Sequence, residues 1–342
     1  MARSRTDRAA RAAAGRSPAA ARRRPGAFAL VTGALLVFFL IPLLVHARHY
    51  PVGADVPFYL WSTRLAGRFG LSVTDFRPGL HAVLLLVSGG SGLAVLQVTQ
   101  AIAVALAVAA GLGAAVVAER GLGRDPLRTA AVGIAAGAYT ARLASGFLAN
   151  LLFAALFMAA VALLIRGGRK VTLLAALLLG AAGLAHGLFL AVGAGVLGGA
   201  AVLRLLTGRG DGEAVRADLA RVSGAALGGG AIAGAGFVVA SLGRPMTEEE
   251  RVHTRDALVR RAGLGALIEQ AYHARWLEAV TAFRLPVLLP LGAVGGAALR
   301  TGRRGIDALF GSVVVSWATI TVVGIAVALV TARLPAGRVL NF

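Results

Sequence analysis

The chain has 342 residues, of which 58% are hydrophobic and only 15% charged, with mean hydropathy +0.78. A soluble domain carries about a quarter charged residues, and the apolar residues here come in blocks close to the ~20 that a helix needs to cross a bilayer, so the pattern is that of an all-α, polytopic transmembrane helical bundle and not of a β-barrel with its short alternating strands. The net charge of +20 sits mostly at the ends of the apolar blocks, as topology signals do, which argues against nucleic acid as a partner; the absence of cysteine removes thiolate metal sites, disulfides and thiol nucleophiles.

Residues 1–26 are rich in Arg, Ala and Ser and form a basic cytoplasmic tail without the apolar residues a core needs. Residues 27–46 form a first membrane helix, too long for a cleaved signal and followed by many more spans. The chain then emerges on the outer face for its first large loop, about 47–90. That loop begins "YPVGADVPFYLW", in which Asp55 is placed to cap a short helix with Pro57 in its first turn, while Phe58, Tyr59 and Trp61 suit the membrane interface. A second juxtamembrane helix follows in "RPGLHAVLLLVSGGSG".

The next span, about 92–118, returns to "ERGLGRDPLR" inside. Spans at about 129–142 and 147–165 make a hairpin with its turn outside, and Asn150 near the outer end of the second is a polar group in an apolar helix. "RGGRK" is inside; a second hairpin, 171–185 and 188–206, turns outside at His186; and "RLLTGRGDGEAVRADLAR" is again inside. A span at 222–242 leads to a second large outer segment, 243–279, where Thr247 and Glu250 stand in capping-box spacing and Arg251 and Arg255 share one helix face. Spans at 281–299, which Arg284 enters, and 309–332 complete about nine, with Arg338 beyond the last. This orientation, a plasma-membrane protein with its N-terminus in the cytoplasm, places most of the 35 Lys and Arg residues inside, with the bias strongest in the short loops. Glycines in "LGGGAIAGAG" and "GAGVLGG" are expected to let helices approach closely.

Asp55 at a water–lipid boundary has the chemistry of a general base, and arginine pairs such as Arg251 and Arg255 suit phosphate oxygens. No Walker, zincin or nucleophile-elbow motif occurs, and a divalent metal has no ligand cluster to hold it, so no cofactor is expected.

The layout of one helix and then an outer loop beginning "YPVGADVPFYLW" and continuing "RPGLHAVLLLVSGGSG", with "ASGFLANLLFAALFMAAVALL" and "LLLGAAGLAHGLFLAVGAGVL" behind it, resembles the GT-C type membrane glycosyltransferases, in particular large actinobacterial members. The resemblance covers about residues 27–342. It implies a polyprenyl-phosphate-linked sugar as donor, an unspecified acceptor on the outer face, Asp55 as the catalytic base, Arg251, Arg255, Arg284 and Arg338 as candidates for the donor phosphate, and Tyr59, His186 and Asn150 as substrate-lining residues. The chain departs from the pattern in carrying a single acid at the motif, with Asp75 twenty residues on, and in being shorter than many members, which implies a fragment or a relative lacking part of the machinery. The competing classes are a transporter or flippase for a lipid-linked substrate and a non-catalytic assembly subunit of the membrane.

Overall fold

The computed structural model describes residues 24–46, 56–74, 77–123, 125–140, 147–208, 212–242, 296 and 305–332. These form ten α-helices: α1 Arg24–His46, α2 Val56–Phe69, α3 Pro78–Ser91, α4 Val95–Leu122, α5 Pro126–Tyr139, α6 Leu148–Arg166, α7 Arg169–Ala185, α8 Gly187–Thr207, α9 Gly212–Ser241 and α10 Gly305–Ala332, with a 3-10 turn at Leu71–Thr74 between α2 and α3. No strand occurs among the described residues. Four helices are long and apolar enough to cross a membrane: α4 over Val95–Gly121, α6 over Leu148–Arg166, α8 over Phe189–Thr207 and α9 over Gly212–Ser241. Shorter apolar stretches lie in α1 and α10, at Gly26–Ile41 and Ala308–Ile320, and in α3.

Two expected spans are short. α5 has 14 residues and α7 has 17; at 1.5 Å per residue they reach about 21 and 25 Å, less than a ~30 Å hydrocarbon core. α9 departs the other way. It begins at Gly212, ten residues before its expected apolar start: within "GEAVRADLAR" Asp218 is paired with Arg221 on the same helix and with Arg204 of α8, so these charges lie in the helix and do not mark a loop. The expected span at 281–299 lies outside the described residues, apart from Gly296.

Local chemistry sets the helix ends. Asp125 caps α5, its Oδ1 accepting from the amides of Leu127 at 3.0 Å and Arg128 at 3.3 Å, with Pro126 in the first turn. Gln97 Oε1 accepts from the Ala94 amide at the start of α4 (3.1 Å). α6 and α7 are separated only by Gly167 and Gly168, at φ 78° and 105°, a left-handed pair that side chains would resist.

Three apolar clusters hold the bundle. One joins α1, α4, α5 and α6 around Val31, Leu35, Ala107 and Leu151. A second joins α6–α10 around Ile165, Leu179, Leu197 and Leu309. The third gathers α2, α3, α4, α6 and the end of α7 around Tyr59, Leu80, Leu84, Leu148 and Ala185. α6 contributes buried residues to all three. Glycines do act as close-packing positions. A Cβ on Gly229 would lie 2.6 Å from Leu179 Cβ, and one on Gly180 2.5 Å from Ile232 Cγ2. With Gly228 facing Ala176 and Gly236 facing Leu184, α7 and α9 rise side by side in parallel. Ser316 of α10 donates to the Val196 carbonyl of α8 (2.8 Å) opposite Gly199.

Candidate functional site

The third cluster carries most of the buried polar side chains at one end of the bundle. On α2, Tyr59, Ser62, Thr63 and Ala66 are buried, a one-face helical spacing that turns this side toward α3. Tyr59 is packed into the bundle, 0% exposed. The reason is a partner for its polar end. Arg77 Nη1 donates to the Tyr59 hydroxyl at 3.2 Å, and the guanidinium carbon lies 5.7 Å from the ring centroid. Phe58 and Trp61 remain partly exposed on the same helix.

Arg77 immediately precedes α3, with Pro78 at the first helical position. One turn on, His81 is fully buried. Its Nδ1 lies 2.8 Å from Thr63 Oγ1, and its ring sits 6.0 Å from that of Tyr59 and 6.5 Å from that of Phe58. Whichever way the proton lies on the Thr63–His81 bond, Nε2 is left without a partner among the described residues. Burial, and then the charge of Arg77, push the imidazole down from 6.5 to about 4, so it is neutral at physiological pH.

Gly79 brings the second histidine in. A Cβ there would lie 2.8 Å from the Leu184 carbonyl carbon and 2.9 Å from the Ala185 nitrogen, so the first turn of α3 abuts the end of α7 backbone to backbone. The next residue is His186. The expected turn at His186 is this single residue, extended at φ −157° and ψ 99°, which ends α7 and caps α8 by accepting from the Phe189 amide at Nδ1 (3.4 Å). It is 6% exposed and packs edge-on against Phe189, ring centroids 4.6 Å apart. Burial and then Arg77 lower its pKa to about 4, against a smaller upward push from a backbone hydrogen bond.

Tyr59 and His186, 127 positions apart, are therefore both under the influence of Arg77. Asn150 is half-buried in the first turn of α6, beside Leu148, Ala149 and Leu152 of the same cluster. Asp55, one residue before α2, and Arg251, Arg255, Arg284 and Arg338 lie outside the described residues. Arg77, His81 and Thr63 were not among the expected site residues. The available signal was a histidine four places after an arginine inside an otherwise apolar stretch.

The opposite end of the bundle carries a second polar group. Asp218 of α9, 2% exposed, accepts from Arg204 Nε of α8 at 2.7 Å and from Arg221. Arg221 also donates to the Leu164 carbonyl (3.3 Å), and Arg120 donates to the Ala162 carbonyl, so two cations meet the negative end of α6. Every member has a helix end or a carboxylate to hold, which makes this a staple between helices. Among the described residues no three His, Asp or Glu side chains are grouped to hold a metal ion.

Compared with family models, curated proteins and solved structures, the chain finds no match.

Proposed function

We propose that the chain is a polytopic membrane glycosyltransferase of the GT-C type, which moves a sugar from a polyprenyl-phosphate donor to an acceptor on the outer face of the plasma membrane. In this reading about nine spans carry the site, and the tail is cytoplasmic. What supports it is the packing of the first turn of α3, just after Arg77, against the backbone just before His186, with Arg77 hydrogen-bonded to Tyr59 on α2, the helix that Asp55 adjoins in sequence.

Asp55 takes the proton of the acceptor hydroxyl as its oxygen attacks the anomeric carbon. The bond from that carbon to the phosphate oxygen breaks, and polyprenyl phosphate leaves with the electron pair. General-base help is worth about 10²–10⁴-fold, and the sugar passes through an oxocarbenium-like state. A phosphate monoester leaves without a strong general acid, so the remaining task is to neutralise it. Arg77 joins Arg251, Arg255, Arg284 and Arg338 as a candidate, and it is the one whose surroundings are described.

The test is transfer of labelled sugar from polyprenyl phosphate by membranes expressing the protein. Asp55→Asn is expected to lose at least a hundredfold, and Arg77→Gln to lose transfer while the protein still reaches the membrane. Wild-type transfer by Asp55→Asn removes Asp55 from the mechanism.

A further inference from the structure

At the end of the bundle away from Arg77, the α6–α7 connection is two residues long, and it holds Arg166, Arg169 and Lys170 close together. All three side chains are exposed, and among the described residues none is ion-paired. The loop cannot easily drift, because its left-handed Gly167 lies against the Arg221 guanidinium, which is itself tied to Asp218 and to the Leu164 carbonyl. The three cations are thus presented on a fixed corner.

The helix that leaves this corner continues the pattern. Leu173, Leu174 and Leu177 are 64%, 47% and 49% exposed. Arg169, Leu173 and Leu177 follow one another at four-residue steps, and Lys170 and Leu174 run alongside at the same step, so the cations and the leucines lie on one face of α7. On the neighbouring α9, Arg216 and Leu227 are also exposed, with Glu213 the exposed acid there. A charged end with an uncovered apolar stripe above it matches a phospholipid in outline, with the headgroup at the loop and the acyl chain along the helix.

We propose that Arg166, Arg169 and Lys170 bind the phosphate of an anionic phospholipid in the leaflet that the α6–α7 loop faces, with one acyl chain along Leu173, Leu174 and Leu177. Charge complementarity selects the headgroup and the continuous leucine stripe selects a lipid over a soluble anion. The site depends on residence in a bilayer and not on the glycosyltransferase reading.

Each cation near a membrane surface is worth about a fivefold gain for an anionic lipid, so three give on the order of a hundredfold over a zwitterionic one. The experiment uses the full chain, delipidated in a neutral detergent, titrated with phosphatidylglycerol or phosphatidylcholine, and read by native mass spectrometry and by thermal shift. Phosphatidylglycerol is expected to be retained and to raise the melting temperature, with phosphatidylcholine weaker by that factor and the preference shrinking as salt rises. The triple variant Arg166→Gln, Arg169→Gln, Lys170→Gln is expected to lose most of the preference, and Arg64→Gln with Arg68→Gln, on α2, to keep it. Single Arg169→Gln and Lys170→Gln variants, each expected to lose about fivefold, serve if the triple variant does not fold. Equal retention of the two lipids, or a preference left intact by these loop variants, overturns the proposal.

Discussion

Thr63 Oγ1 and His81 Nδ1 lie 2.8 Å apart with both side chains completely buried, one hydrogen bond joining α2 to α3 while His81 Nε2 has no partner among the described residues. Thr63→Val keeps the shape and removes the hydroxyl, leaving both ring nitrogens of His81 unsatisfied. A loss of about 1–3 kcal/mol is expected, while Thr63→Ser should cost little. Thermal unfolding of the detergent-solubilised protein separates the two, and equal melting temperatures for the valine and serine variants would show that the bond contributes nothing.

The same histidine makes stability depend on pH. Its folded pKa of about 4 lies below the ordinary 6.5, so between these values an unfolded chain binds a proton that the folded one rejects. Stability is complete above pH 6.5 and falls as the pH drops toward 4, by up to about 3 kcal/mol from this group. His186 titrates in the same direction and adds to the slope. Melting temperatures measured from pH 7 to 4 should decline, and His81→Gln should flatten part of that decline. A profile unchanged by the substitution contradicts the assignment.

Gly79 and Gly89 occupy the same helix and predict opposite outcomes. A methyl on Gly79 meets the α7 backbone, whereas a methyl on Gly89 meets open space. Gly79→Ala should destabilise the protein, because the added methyl meets the α7 backbone. Gly89→Ala should be neutral or stabilising by up to about 1 kcal/mol, the helix propensity difference. Comparing the two in one thermal-shift series checks the packing directly.

Asp218→Asn leaves the buried Arg204 without its counter-charge. Breaking a buried pair from one side costs roughly 3–5 kcal/mol, and the expected result is a large fall in melting temperature or yield. Replacing Arg204 with Met at the same time should recover part of the loss, since the isolated charge is then gone. No recovery in the double variant would point to Arg221 as the group that suffers.

Much of the helical layout is legible in the sequence because length and apolar content alone reveal a membrane helix. α4, α6 and α8 begin and end within a few residues of the expected spans. α9 does not, since a charge reads as a loop until its partner is known, and the partners of Asp218 lie on another helix and on its own next turn. The burial of Tyr59 was not legible for a related reason. Tyrosine suits an interface or a core with a hydroxyl partner, and only folding shows that Arg77 is that partner. His186 and Asn150 stand out as polar residues within apolar runs. His81 and Thr63 form their pair across eighteen positions and two helices, a distance at which no local pattern speaks.

The order in which α6 acquires its neighbours has a consequence for biosynthesis. Its neighbours α1–α5 precede it in the chain, and the cluster from Tyr59 to Phe189 is synthesised before most of α8. Its opposite half packs against α7, the next helix made, while the cluster around α8 is completed only when Leu309, Phe310 and Val313 arrive on α10, more than a hundred residues later. The nascent protein thus carries a finished polar cluster at one end of the bundle while α8 still waits for its last cover at the other, an interval in which Leu197 lacks its α10 neighbours.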